Sequence, residues 1–545
     1  MSAIERLKRN ARRAKEIIHV LVKYGLADWL RKIPGNPMNG WLRSAGGQSI
    51  PELSQPQSIR FALAELGTTF IKLGQALSTR PDLIGQELAN ELSRLQSDAP
   101  PDPPGVAETT VEKELGEPPD RLFAYFEPVP FASASIAQVH NARLPSGEEV
   151  VIKIQKKGIV ERIEADLSIL ADLAELAEKY VEELKPYAPV ATVRHFAKTL
   201  RGELDFTRER RNMEEFRRNF DEDGTVHFPE PWPAFSSGRV LTMERLSGIL
   251  ISHTDEIRSL DVDLEEFARR GANMYLEMIF RDSFYHADPH PGNIMLLPGQ
   301  VVGVLDCGMV ERLDEGLREQ MEEMLLAVAQ GDAAMLADGL WNLAGAPPTG
   351  RREQLRSEVA EFLSQYMDQS IRELRVSEAL TGLFDLIYRN HLLLPPGVSL
   401  MLRMLIELEG TARLLSPSFS LAQVIQPYYR EVIKRRFSPE RFARRFQRRF
   451  RQWDRLIQAL PTDMNEILQR TLAGTLTLHL DQPRLDSVVN RLVLGLLTSS
   501  FFLGSSLLWS MKAQPLIGGV SLPGLVGYAL SLLLGFTLLR AVRKS

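Results

Sequence analysis

One short stretch restricts this chain more than any other. Tyr285-His286-Ala287-Asp288-Pro289-His290-Pro291-Gly292-Asn293 is followed by Asp306-Cys307-Gly308. It holds an Asp, an Asn five positions later and a second Asp thirteen after that. Groups at those intervals act together only if the chain doubles back between them. Val301, Val302, Val304 and Leu305 lead into Asp306 like a short strand that ends at a site. Phosphoryl transfer of the kinase type needs this set. One Asp (Asp288) orients or deprotonates the attacking group, while Asn293 and Asp306 hold Mg2+ against nucleotide phosphates.

The sequence upstream supplies matching parts. Glu149-Val150-Val151-Ile152-Lys153-Ile154 reads as a β-branched strand, and Pro145-Ser146-Gly147 before it as a hairpin turn. Lys153 on that strand is placed to meet α/β-phosphates; a solvated surface lysine is the plainer alternative. Phe131 to His140 stands where a kinase carries a glycine-rich loop, yet it has no glycine. Its Ala132, Ser133, Ala134 and Ser135 are small enough for a backbone to approach phosphates. They reach fewer positive-φ conformations than Gly, so a stiffer loop is expected. Arg239 to Leu246 reads as a strand entering an inter-lobe hinge, or as an ordinary strand. As a hinge it sets Met243 at the back of an adenine pocket, and Glu244 to Leu246 present backbone groups to the base.

These residues resemble the UbiB family of atypical, protein-kinase-like proteins of ubiquinone biosynthesis. Lys72-Leu73-Gly74-Gln75 is similar to the family's Lys-x-Gly-Gln signature, which ordinary kinases lack. Ala132 to Ser135 is similar to its alanine-rich loop, with Ser133 where Ala is more usual. Glu203-Leu204-Asp205 resembles its Glu-x-Asp signature, and Glu209 stands at the place of the glutamate that pairs with the strand lysine. The third motif reads Asp-Cys-Gly, so Phe-based switching does not transfer. The motifs cover about residues 55 to 410.

The resemblance implies an α+β, bilobal protein-kinase-like fold with an added N-terminal helical segment and a C-terminal transmembrane helical hairpin. The cofactors it implies are ATP or ADP and Mg2+. The expected boundaries are 1–50, a basic amphipathic segment; 51–110, the added helical segment and linker; 111–250, the N-lobe; 251–415, the C-lobe; 416–488, a basic membrane-proximal region; and 489–545, the hairpin. Residues 57 to 95 read as two helices broken near Thr79-Arg80-Pro81, and residues 98 to 105 as a Pro-rich linker. Lys72 and Gln75, at i and i+3, can reach one point together. Glu203, Asp205 and Glu209 are read on a single helix within residues 158 to 220. Glu203 and Glu209 then face different directions. One pairs with Lys153; the resemblance implies Lys72 for the other, with Asp205 as a second partner of the Lys72–Gln75 pair. Such a link ties the added segment across the entrance for a protein substrate. Asp288, Lys72, Gln75, Glu203 and Asp205 are thus the expected catalytic and gating set.

Among 545 residues there is one cysteine, Cys307, so no intramolecular disulfide is possible. A small side chain packed beneath the site explains it better than redox chemistry. His286 and His290 are read as holding the loop backbone rather than a metal. Net charge is −5, so the whole chain is no nucleic-acid binder by charge. At the N-terminus Arg6, Lys8, Arg9, Arg12, Arg13 and Lys15 accompany Ile4, Leu7, Ala11, Ala14 and Ile18 at helical spacing. A helix lying on an anionic membrane and a solvated surface helix are equal readings.

Residues 434 to 455 carry ten Lys or Arg and an aromatic stripe of Phe442, Phe446, Phe450 and Trp453. Nucleic-acid binding is one reading. A membrane-surface helix fits better, because two charge-free stretches follow, Leu492 to Met511 and Pro515 to Leu539. Each is long enough for a hydrocarbon core of about 30 Å. Basic residues flank the pair, which puts both ends in the cytoplasm of a bacterial-type inner membrane. The expected partners are membrane lipids and prenylated quinone intermediates, with other ubiquinone biosynthesis enzymes in a scaffolding role. An ATPase or small-molecule kinase, a nucleotide-regulated scaffold and a protein kinase acting in trans all remain open.

Overall fold

The computed structural model describes residues 11–26, 53–95, 99–345, 351–367, 374–436, 485–511, 513–517 and 520–543. Two compact units divide the chain, residues 1–438 and 439–545.

In the first unit a five-stranded antiparallel sheet carries the order β1-β3-β4-β6, with β2 also paired to β3. The strands are β1 (Tyr125–Phe126), β2 (Ala132–Ser133), β3 (Ala137–Arg143), β4 (Glu149–Gln155) and β6 (Val240–Glu244). Side chains alternate across a strand. On β4, Val150, Ile152 and Ile154 therefore enter one core with Ala107 and Val111 of the helix Val106–Leu115. Val151 faces the other way, into the large core, and Lys153, two residues on, shares its face. This is the kinase-like N-lobe, with its lysine on the cleft side.

The larger lobe begins with β5 (Val226–His227), β7 (Ile249–Leu250), β9 (Ile294–Leu297) and β10 (Val301–Val304), in the order β5-β10-β9-β7. A second small sheet pairs β8 (Phe284–His286) with β11 (Val310–Arg312). Helices complete the lobe, among them Leu264–Glu277, Val376–Arg389 and Pro396–Leu415. The kinase-like α+β fold is thus present.

The added segment departs from expectation. Residues 55 to 92 form four helices: α1 (Gln55–Leu66), α2 (Thr68–Ser78), α3 (Pro81–Ile84) and α4 (Gln86–Leu92). Gly67, at φ 92°, breaks the first expected helix, and Gly85, at φ 77°, breaks the second. Both conformations suit a residue without Cβ. The segment clamps both lobes. Thr69 donates to buried Asp166 at 2.7 Å on the N-lobe side. At its far end Asp82 pairs with Arg80 at 2.7 Å and accepts from Ser399 at 2.8 Å on the helix Pro396–Leu415.

Residues 99 to 102 are no free linker either. The Ala99 carbonyl accepts from Ser133 at 2.8 Å, and the Pro100 carbonyl from Lys156 at 2.9 Å. The Asp102 amide donates to Gln138 at 2.8 Å.

The N-terminal helix Ala11–Lys23 corrects both earlier readings. Ala14, Ile17 and Ile18 are buried in a core with Leu63, Leu66 and Phe70. Arg13 pairs with Asp166 at 2.7 Å. The apolar stripe meets protein there, neither lipid nor water. Residues 1–10 of that segment, and the basic stretch from 437 to 455, lie outside the described residues.

In the second unit, helices Leu485–Ser510 and Leu522–Arg543 form a hairpin. Small residues make its seam. A Cβ on Gly527 would lie 2.1 Å from Ser505 Oγ, and one on Gly524 3.2 Å from the Ser505 carbonyl. Ser506 bonds Tyr528 at 2.7 Å. Among the described residues no helix is long and apolar enough to cross a membrane. The two expected spans therefore gain no support here.

A buried relay gives the N-lobe a pH dependence. Gln138 donates to His140 Nε2 at 2.9 Å, and His140 Nδ1–H donates to the Glu127 carbonyl at 2.8 Å. Burial lowers the His140 pKa, outweighing the Glu127 carbonyl that favours the charged ring. The unfolded value is about 6.5, so below it the unfolded chain binds the extra proton. Stability is full above about pH 6.5 and declines as pH falls. Thermal midpoints at pH 7.5 and 5.5 should differ less in His140→Gln than in the wild type. Equal shifts in the two proteins would refute the role of His140.

Candidate nucleotide site

The cleft between the lobes is built around Lys153. Its ammonium lies 2.9 Å from Glu209 Oε1, 2.9 Å from Glu209 Oε2 and 2.9 Å from Asp306 Oδ2. An ammonium has three N–H donors, and here each has a carboxylate oxygen. Burial would lower the Lys153 pKa, but Asp306 and Glu209 outweigh it and raise the value. Burial also dominates Glu209 and pushes it up to about 7, against the pull of Lys153. Asp306 goes the other way: Lys153 and the Gly308 N–H overcome its burial and lower it.

Glu209 reaches this point because the helix carrying it is not the one carrying Glu203. The helix Pro189–Glu203 ends, and α5 (Phe206–Asn219) begins after Asp205. Asp205 is extended, at φ −108° and ψ 97°, and its carboxylate accepts from the Thr207 amide at 3.0 Å. It is a helix N-cap, which corrects its expected link to Lys72. The angle expected between Glu203 and Glu209 on one helix no longer applies. On α5, Phe206, Met213 and Phe216 are buried at helical spacing and turn Glu209 toward the cleft.

Lys72 on α2 does meet Glu203, at 2.7 Å. Burial would lower its pKa; Glu203 and then Asp306 raise it, while Lys153 opposes. Two lysines and three carboxylates therefore share one neighbourhood. The Gln75 amide donates to the Leu95 carbonyl at 3.0 Å, within the added segment.

The 286–293 loop is held from several sides. His286 Nε2–H donates to the Asp306 carbonyl at 2.6 Å, and His286 Nδ1 accepts from the Asp288 amide at 3.3 Å. His290 Nδ1 accepts from the Gly292 amide at 3.1 Å. Both histidines hold backbone. Thr411 donates to the Pro289 carbonyl at 3.1 Å. Asn293 donates to Asp288 Oδ2 at 2.8 Å, and the Leu305 amide donates to the Asn293 carbonyl at 2.9 Å. Asp288 and Asn293 thus meet side chain to side chain, and Asn293 is tied through its backbone to Leu305, the residue before Asp306.

Among the described residues no three His, Cys, Asp or Glu side chains converge on a metal position. Mg2+ does not need three, since it is often bound through one or two carboxylates plus phosphate oxygens. Asp306 fits that role. Its side chain keeps 41% exposure, and Oδ1 accepts from the Gly308 amide at 2.7 Å. Asn293 commits its NH2 to Asp288 and keeps a carbonyl oxygen as a hard ligand. Cys307 is buried, and its carbonyl is held by Asn212 of α5 at 3.0 Å.

The alanine-rich loop is a tight turn, with the Ala134 amide donating to the Ala137 carbonyl at 2.8 Å. Ala132 and Ser133 pair with Val139 and Gln138. Ser135 is buried, and its carbonyl faces the Thr68 hydroxyl of α2 at 3.4 Å. Ser133 is tied to Ala99. The added segment thus holds this loop from outside. Met243 is buried at the end of β6. Glu244 has its backbone N–H and its carboxylate engaged on the side away from the strand lysine's partners. Its amide donates to the Glu230 carbonyl at 2.8 Å, and its carboxylate meets His227 at 2.9 Å. Leu246, beyond the strand, packs near Gly303, where an added Cβ would lie 3.3 Å from Leu246 Cδ1.

Sequence reasoning passed over Asn212, Thr411 and the Arg80–Asp82–Ser399 clamp. Arg80 was visible only as part of a helix break, and Asp82, Asn212 and Thr411 carried no local signal.

Family models match three parts of the chain: an ABC1 atypical kinase-like domain at residues 94–339, a UbiB helical domain at 359–420, and an ABC1/UbiB kinase-like C-terminal domain at 479–544. The chain is 33% identical over 472 residues to "Probable protein kinase UbiB" of Pseudomonas paraeruginosa, covering 84% of this chain and 88% of that one. The same protein of Pseudomonas aeruginosa gives the same figures, 33% over 472 residues. An "Uncharacterized protein in hydrogenase 1 5'region" of Clostridium pasteurianum is 29% identical over 551 residues, covering 98% of this chain and 99% of that one. Among solved structures, Rv3197 of Mycobacterium tuberculosis in complex with erythromycin is 22% identical, with a TM-score of 0.37, over 66% of this chain and 94% of that one.

Capping by Asp205 has a measurable consequence. Asp205→Ala should cost about 0.5–2 kcal/mol of unfolding free energy, with Asp205→Asn recovering most of it. Denaturant titration measures both. If Asp205→Ala is neutral, the cap does not set the start of α5.

Proposed function

The chain belongs to the UbiB family of atypical kinase-like proteins, and from that membership we propose that it binds a Mg–adenine nucleotide, ATP or ADP, and acts as an atypical kinase or ATPase supporting ubiquinone biosynthesis. The observation that carries this reading is the meeting of Lys153, Glu209 and Asp306 at 2.9 Å. It gathers β4, α5 and the loop after β10 at one point. With Asp306 turned to Mg2+, Lys153 gives the N–H it now donates to Asp306 to the phosphates, while Glu209 keeps the ammonium in place. Asp306 and Asn293 Oδ1 would hold Mg2+, which supplies charge neutralisation on the phosphates. Asp288, fixed by Asn293, takes the proton of the attacking hydroxyl or water. Met243 and Leu246 bound the place for the base.

The added segment favours a small acceptor over a protein. Lys72–Glu203, Thr68–Ser135 and Asp82–Ser399 pin it along the cleft and to both lobes. A protein kinase acting in trans needs that side open. The hairpin supports membrane association. Its seam is small and hydroxyl-bearing, while Leu503, Leu532, Leu533 and Phe536 are 61–76% exposed. That distribution suits an apolar solvent. Anchored so, with the kinase-like unit on the cytoplasmic side, the site works beside lipids and prenylated quinone intermediates. A nucleotide-regulated scaffold for biosynthetic enzymes is the second reading, and turnover decides between them.

Asp306→Asn should weaken Mg2+-dependent nucleotide binding at least about tenfold, equivalent to about 1.4 kcal/mol. Asp288→Asn should leave affinity within about twofold but slow hydrolysis or transfer about a hundredfold. Equilibrium binding and γ-labelled ATP turnover measure these, and unchanged affinity in Asp306→Asn would sink the assignment. Truncation after residue 480 should abolish membrane association that resists high salt. Full retention of the truncated chain in salt-washed membranes would remove the hairpin as the anchor.

A further inference from the structure

A second concavity lies behind residues 244 to 247. It has a volume of about 620 Å³, within the roughly 300–1,000 Å³ typical of small-molecule pockets. Both lobes build it. The turn after α5 and β5 form one side, residues 244 to 247 the second, and the β9–β10 turn the third. Phe220, Val226 and Phe228 give it a buried apolar floor.

Its polar groups are unequally satisfied. Asp223 accepts from the Thr225 amide at 2.9 Å and hydroxyl at 2.6 Å. Glu244 accepts from His227 at 2.9 Å and from the Glu230 amide at 3.1 Å. Arg217 is different. Its contact with Glu230 is 3.6 Å long, and its buried Nη1 has no hydrogen-bond partner among the described residues. Burying an unmet donor costs about 1–3 kcal/mol. An acceptor that arrives with a ligand relieves it.

We propose that this cavity is a second ligand site for a small organic anion: one carboxylate, seated on Arg217, with an aromatic or aliphatic body on the apolar floor. Charge limits the ligand to a single anionic group. Arg217 and Arg245 line the cavity together with Asp221, Asp223 and Glu244, two guanidiniums against three carboxylates. A polyphosphate is repelled there, whereas one carboxylate pairs with the planar guanidinium of Arg217, whose Nη1 lacks a hydrogen-bond partner among the described residues. Occupancy reaches the nucleotide site by two short routes. Arg217 shares α5 with Glu209, and Glu244 and Leu246 follow Met243 at the edge of the nucleotide cleft.

The probe is 4-(trifluoromethyl)benzoate, titrated by fluorine NMR against the full chain in lipid nanodiscs, with empty nanodiscs as reference. Saturable binding is expected. It should weaken at least fivefold in Arg217→Gln and recover in part in Arg217→Lys. Ser247→Trp, which fills the mouth and leaves Arg217 in place, should weaken it as well. The uncharged 4-(trifluoromethyl)benzamide and inorganic triphosphate should compete poorly. Absent saturation, or equal affinity in wild type and Arg217→Gln, overturns the site. These binding arms contain no nucleotide, so they stand apart from the reading of the cleft. The coupling arm rests on that reading: saturating probe should shift the affinity for a fluorescent Mg–ADP analogue at least twofold in wild type and not in Arg217→Gln. An unchanged affinity in wild type removes the coupling.

Discussion

The ammonium of Lys153 is where the kinase-like unit is tied together. It comes from the sheet, Glu209 from the helix packed on that sheet, and Asp306 from the loop that closes the other lobe. A contact of this kind is poor evidence for stability, because desolvation offsets much of the attraction. Its value is positional. Three segments far apart in sequence must all be correctly placed before the three groups can meet. The same ammonium also lies over the Phe206 ring at 5.6 Å, so the first residue of α5 both starts the helix and supports the lysine that its Glu209 holds.

The added segment extends this arrangement to the rest of the cleft. Lys72 brings a second positive charge near Asp306, and its own partner Glu203 lies on the helix that ends just before Asp205. The alanine-rich loop needs no glycine for its shape. None of its residues has a positive φ among the described residues, and its carbonyl and hydroxyl groups lean on Thr68 and Ala99. A glycine-rich loop would be free to move over a nucleotide. This one is fastened from outside.

Much of the site was legible because local chemistry carries it. Period-two alternation put Lys153 opposite Ile152, and an Asp–Asn pair among prolines marked a loop. The break at Asp205 was legible in principle: Asp followed by an apolar residue, with Glu209 in the next turn, is an N-cap pattern. It was hidden because the residues on both sides keep helical spacing. The N-terminal helix shows a different limit. An apolar stripe with basic flanks reads the same whether lipid or protein covers it, and only Asp166, 153 positions from Arg13, decides. The strap at residues 99 to 102 was unreadable for the same reason, since prolines announce a turn but not the partners that fasten it.

The clamp between Asp82 and Ser399 joins residues 317 positions apart. Its consequence lies in time as well as space. At synthesis rates of about 5–20 residues per second, roughly 15–60 seconds pass between the emergence of its two halves. Asp166 and Glu203 emerge much earlier, so the N-lobe end of the added segment can dock first. Its other end must wait, with Arg80 and Asp82 paired only to each other, until the helix Pro396–Leu415 arrives. The segment that begins the kinase-like unit is also among the last to be fastened, and its closure records that both lobes have been made.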